Sequence, residues 1–104
     1  MTDYNKLYTP GDIDAYKVTT VVEIPKGSML KIEYRRNLGT FELDRVEPEI
    51  FAKPSNYGFI PGTLDLDGDE LDTLVVCPEP IPTGVVVSAN ILGRSEERRV
   101  GKEC

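Results

Sequence analysis

Between positions 65 and 72, five of eight residues are carboxylates: Asp65, Asp67, Asp69, Glu70 and Asp72. Such crowding has an electrostatic cost. Two unit charges about 6 Å apart repel by roughly 0.7 kcal/mol in water and by about 3 kcal/mol at an effective dielectric of 20. A solvated loop tolerates this, whereas a partly enclosed one needs counter-charge. Carboxylate oxygens are hard ligands for Mg2+ or Ca2+, and Gly68 lets the backbone turn so that neighbouring side chains converge. Divalent-cation binding is therefore the first chemistry to consider. A calcium loop of the EF-hand kind fails the spacing test. With Gly68 at its glycine position, Asp65 and Asp67 fall correctly, but Thr63 takes the first ligand position and Leu74 the position of the bidentate Glu. What remains is the pattern Asp67, Asp69, Asp72, which a generic acidic loop also matches.

Composition narrows the chemistry further. The chain has no histidine and two cysteines, Cys77 and Cys104, which form neither a disulfide framework nor a metal pair. Ser/His triads, Cys/His pairs and most zinc catalysis are excluded, so carboxylates must carry any chemistry. The net charge of −6 disfavours a nucleic-acid partner. No apolar run approaches the roughly 20 residues that span a bilayer, and the amino terminus has no secretory pattern. The expectation is a soluble, cytoplasmic protein with no membrane partner.

The elements that must position the acidic loop read as short strands. Segments 17–24, 30–36, 40–46, 72–77 and 85–92 are rich in β-branched and aromatic residues and are separated by Pro, Gly and Asn turn signals. No long helical pattern lies between them to act as a crossover, which favours a small barrel or sandwich. The first sixteen residues suit a short helix or a loose arm. Gly58, Gly62 and Gly84 read as turn glycines, and Cys77 as a small core residue. In the second strand Leu30, Ile32 and Tyr34 share one face and Lys31, Glu33 and Arg35 the other. In the third, Arg45 falls with Phe41 and Leu43, which breaks the alternation and asks for a bulge or a functional demand near the strand end.

Other residues accompany the aspartates in a set order: Glu23-Ile24-Pro25, then Lys31-x-Glu33, Asp44-Arg45, and Pro54-x-Asn56-Tyr57-Gly58-Phe59-Ile60. Over residues 19–93 the chain resembles the soluble single-domain (family I) inorganic pyrophosphatases. It departs from them at Glu70, where many members have proline, and at Thr73, where an aliphatic is usual. The resemblance implies an OB-fold-like five-stranded β-barrel that becomes α+β when complete. It also implies Mg2+-dependent hydrolysis of inorganic diphosphate by metal-activated water, with two or more ions per site. Asp67 and Asp72 would bind metal, Asp69 would be the general base, and Lys31, Arg45 and Tyr57 would hold substrate. Glu23 and Glu33 would orient water or metal from behind the ligands. A homo-oligomer is implied for the complete protein. Taken singly these residues have plain readings: Lys31 and Glu33 as a surface ion pair, Tyr57 as a turn aromatic, Glu23 as a strand-end charge. A non-enzymatic barrel module whose acidic loop binds a divalent cation is the competing class.

Residues 94–104 stand apart. A charged, mixed-sign string follows Gly93 abruptly and resembles the translation of a sequencing adapter. Without it, 8 Lys and Arg stand against 15 Asp and Glu. The expectation is a partial pyrophosphatase domain over 1–93 and a non-native tail over 94–104. The barrel would then lack its closure and the carboxy-terminal helix, and the chain as given would be inactive.

Overall fold

The computed structural model describes residues 3–48, 54–64, 68–94 and 100–103. Seven strands follow one another: β1 (Lys17–Ile24), β2 (Leu30–Arg35), β3 (Thr40–Val46), β4 (Asn56–Ile60), β5 (Leu71–Val76), β6 (Val86–Arg94) and β7 (Val100–Glu103). Two short helical turns precede them, α1 (Tyr4–Leu7) and a 3-10 turn (Ile13–Ala15), the first N-capped by the Asp3 carboxylate, which accepts from the Asn5 backbone N–H. Among the described residues no helix is long and apolar enough to cross a membrane.

Five strands close into a barrel in the order β1-β4-β5-β7-β6, while β2 and β3 form a separate two-stranded sheet. The barrel expected from sequence is present with a different membership. Two of the five strands read from sequence, β2 and β3, lie outside it, and β4 and β7 take their places. Residues 56–60 carry Asn and Gly beside Pro54 and so look like a turn, yet they pair with β1 on one side and β5 on the other. The expected loss of closure is not seen either. Val100–Glu103 pairs parallel with β5 and antiparallel with β6, which satisfies the backbone groups that both strands would otherwise leave open.

β1 is buried almost throughout because it has cover on both faces. Its even residues look into the barrel, where Thr20 Oγ1 meets Thr73 Oγ1 at 3.5 Å among Val18, Val22, Val75 and Ala89. On the other face Val21 packs with Tyr34 and Phe59, joined by Tyr4, Phe41 and Val86. The Tyr34 ring stacks on Phe59 at 4.9 Å, and Tyr4 meets Tyr34, Phe41 and Phe59 edge-on. This aromatic cluster fastens the β2–β3 hairpin and the amino-terminal arm to the outside of the barrel. Asn56 is fully buried and satisfied: its Oδ1 accepts from the Lys26 and Ile81 N–H groups and its Nδ2 donates to the Glu79 carbonyl.

The register shifts in three of the ladders, between Ile91 and Gly93 of β6 and at two bulges near the hairpin. On β1, Val22 pairs with Gly58 and Ile24 with Tyr57, so Glu23 is the extra residue. On β3, Arg45 pairs with Lys31 and Leu43 with Ile32, so Asp44 is the extra residue. The second bulge resolves the broken alternation, because cross-strand partners share a face and Arg45 therefore joins Lys31 rather than Leu43.

Candidate active site

The β1 bulge, and the β2 residues Lys31 and Ile32 opposite the β3 bulge, border one cavity of about 340 Å³ between the hairpin and the outer face of β1, β4 and β5. Its walls include Glu23, Lys31, Glu33, Tyr57, Asp69 and Asp72. The register explains the convergence. Phe59 pairs with Val21 on one side and with Asp72 on the other, so Asp72 shares the outer face, and Tyr57 lies two residues along the same strand. The β1 bulge lets the consecutive residues Glu23 and Ile24 both line the cavity. The polar face of β2 closes the opposite wall with Lys31, Glu33 and Arg35.

Six of the residues singled out from sequence are thus brought together. Arg45 pairs with Lys31 but is exposed and does not line the cavity. Asp67 lies outside the described residues. Sequence reasoning passed over Arg35, Tyr34 and Glu70, which also line the cavity. Arg35 was legible, since it follows Lys31 and Glu33 on the same strand face. Tyr34 became visible only through contacts distant in sequence, whereas Glu70 stands in the acidic run itself but has no site role in the resemblance.

The hairpin charges form a partly exposed network. Lys31 Nζ lies 3.5 Å from Glu33 and 3.7 Å from Asp44, and Arg35 lies 3.4 Å from Glu33 and 3.5 Å from Glu42. At this exposure each pair contributes under about 1 kcal/mol, so the cations can exchange partners for an incoming anion at little cost. Glu23 is different. It is buried, and the Tyr34 backbone N–H donates to its Oε2 at 2.8 Å. Burial pushes its carboxyl from 4.5 to about 8 against the pull of that hydrogen bond, and the charges of Asp72, Glu70 and Glu33 push the same way.

The sign of the pH dependence follows. The folded chain holds the Glu23 proton more tightly than the unfolded chain, so the stabilisation is complete below pH 4.5 and is lost as pH rises through 8. Urea unfolding of the metal-free chain is expected to show about 2–4 kcal/mol less stability at pH 8.5 than at pH 5. Glu23→Gln mimics the neutral carboxyl, keeps an acceptor for Tyr34 N–H and should flatten that slope. An equally steep slope in the variant would show that Glu23 is not its source.

The same crowding tests the fit of a metal. The lining acids offer only hard oxygen donors, and their mutual field on Glu23 is relieved by a divalent cation. The donor chemistry fits, although among the described residues no three acidic or thiol groups come close enough to hold an ion by themselves. A small barrel with a carboxylate-walled cavity faced by Lys and Arg defines a class by its architecture: hard oxygen donors and anion-binding cations side by side on the outside of a barrel.

Comparison with known proteins makes this specific. Residues 20–97 match the family model for inorganic pyrophosphatase. The inorganic pyrophosphatase of Haemophilus influenzae is 57% identical over 93 residues, covering 89% of this chain and 53% of that protein. That of Neisseria meningitidis serogroup B is 58% identical and is covered over 52% of its length. The crystal structure of an inorganic pyrophosphatase from Neisseria gonorrhoeae superposes with a TM-score of 0.89 at 48% identity, over 97% of this chain and 62% of that one. That from Thermus thermophilus gives 0.80 at 40% identity, over 92% and 59%. The chain belongs to the inorganic pyrophosphatase family and spans about half the length of the curated relatives it matches.

Proposed function

We propose that this chain carries the β1–β5 face of a Mg2+-dependent inorganic diphosphatase, which hydrolyses diphosphate to two phosphates. The observation behind this reading is the convergence of Glu23, Lys31, Glu33, Tyr57, Asp69 and Asp72 on one cavity. Asp67 and Asp72 would hold Mg2+, with two or more ions per site. When bound, these neutralise phosphate oxygens and make water acidic enough to react near neutral pH. The protein groups do the rest. Asp69 accepts the proton of the attacking water as its oxygen bonds to phosphorus and the bridging P–O bond breaks. Lys31, Arg45 and Tyr57 hold the phosphate oxygens, Arg45 joining from its exposed position beside Lys31 on the same hairpin face once substrate is present. Glu33 and the buried Glu23 orient water and ligands by hydrogen bonding. The absence of a disulfide pattern and the acidic charge favour a cytoplasmic setting, and the complete protein works as a homo-oligomer.

The reading also holds that residues 94–104 are not native and that the frame continues past Gly93. It draws support from the break in composition at that point and from relatives of which the chain covers only about half, 53% for that of Haemophilus influenzae. The test is phosphate release from diphosphate with Mg2+, measured on the 104-residue chain and on the frame recovered from source DNA beyond Gly93. Turnover by the continued frame and little or none by the shorter chain is the expected result. Absence of turnover from the continued frame would leave the cation-binding module as the better reading. A genome that encodes the tail and then stops would refute the non-native assignment.

A further inference from the structure

The acidic segment is tied down at several points, and one tie comes from outside the region that matches the family model. Asn5, on α1, uses both ends of its carboxamide: Nδ2 donates to Glu70 Oε2 at 2.8 Å and Oδ1 accepts from the Gly62 N–H at 2.7 Å. Only one orientation of the amide satisfies both partners, because a carboxylate only accepts and a backbone N–H only donates. Gly62 and Glu70 are the two ends of the stretch that leads from β4 into β5. Nearby, Thr63 Oγ1 donates to the Ile60 carbonyl at 2.6 Å and accepts from the Leu71 N–H at 3.0 Å, and Arg36 Nη2 donates to the Gly68 carbonyl at 2.6 Å.

Asn5 can act as a tie because Tyr4 beside it is anchored. The Tyr4 ring packs edge-on against Tyr34, Phe41 and Phe59, and its backbone N–H donates to the Tyr34 hydroxyl at 3.2 Å. Tyr34 in turn holds Glu23 through its own N–H. The amino-terminal arm therefore touches the carboxylate wall at Glu70 directly and at Glu23 through Tyr34.

We infer that Asn5 is a positioning residue: by bridging Gly62 and Glu70 it holds Asp69 and Asp72 at the spacing in which the cavity takes up a divalent cation. This rests on the reading of the cavity given above, and hydrogen exchange of the metal-free chain tests the tie separately from that reading. The Gly62 amide belongs to no strand, so in the unaltered chain its protection reports the Asn5 bond. It should exchange at least about tenfold more slowly than an unbonded loop amide, and free exchange would overturn the inference without any variant. Asn5→Ala should remove that protection while the amides of Val18 to Val22 keep theirs. It should also weaken Mn2+ binding, followed by electron paramagnetic resonance of the ion, by about tenfold or more. In a Glu70→Ala background the same substitution should cost markedly less Mn2+ affinity, because the shared tie is already broken. Strictly additive losses, or Mn2+ affinity unmoved by Asn5→Ala, would overturn the positioning role. If Mn2+ fails to bind the unaltered chain while Gly62 is protected, the tie stands and the reading of the cavity fails, and the positioning role with it.

Discussion

Under the proposed function, Asp69→Asn in the continued frame that the proposal calls for is expected to lower turnover of diphosphate by about 10²- to 10⁴-fold, the usual contribution of a positioned general base. The substitution is nearly isosteric and sits on an exposed residue at the cavity wall, so the fold should be untouched. Asn cannot take the proton that water must lose, whereas under the proposed function Asp67 and Asp72 would remain to hold metal. Turnover at saturating Mg2+ should therefore collapse while the Mg2+ dependence of what remains, and binding of the ion measured by calorimetry, change little. Asp72→Asn should behave oppositely and demand far more Mg2+. The contrast separates an enzyme from a cation-binding module, in which Asp69 would have no turnover to remove. A kcat within a few-fold of the unaltered protein would take the base role away from Asp69.

Which parts of this were legible in the sequence follows from how far the physics of each part reaches along the chain. β1, β2 and β3 announce themselves locally, as β-branched or alternating runs bounded by Pro25, Gly27 and Gly39. Residues 56–60 do not, because what makes them a strand is two neighbours far away in sequence. The bulge at Asp44 was foreshadowed, since Arg45 could not alternate with Phe41 and Leu43 unless the strand gained a residue. The bulge at Glu23 was invisible: β1 is apolar toward both faces, so slipping one residue changes no local pattern.

The candidate site divides in the same way. Lys31, Glu33, Asp69 and Asp72 belong to short motifs, and a motif carries its own spacing. Tyr34 and Asn5 matter through contacts spanning 30 and 65 residues, for which no local signal exists. Residues 100–103 read as foreign by composition, yet backbone hydrogen bonding is indifferent to origin, and in the structure they fill the gap between β5 and β6.

Gly58 is where fold and site are most tightly joined, and Gly58→Ala should cost at least about 3 kcal/mol, in the upper range for overpacking. It was expected in a turn, but it lies inside β4 opposite Val22, immediately before the Glu23 bulge. A Cβ there would run into the Val21 carbonyl oxygen and lie 2.9 Å from its carbon and 3.0 Å from Val22 Cα. Those atoms are backbone, which cannot rotate away, so β1 and β4 would have to part. Because β4 also carries Tyr57 and Phe59, the cavity wall would move with it. Gly27→Ala provides the comparison: its φ of +81° favours glycine, but nothing lies within 4 Å of the added carbon, so the cost is about 1–2 kcal/mol of backbone strain alone. Urea midpoints of the two variants distinguish the mechanisms, since a domain holds only about 5–15 kcal/mol in total. If Gly58→Ala proved no worse than Gly27→Ala, the close approach of β1 and β4, and with it the geometry that aims Glu23 and Tyr57 into one cavity, would have to be abandoned.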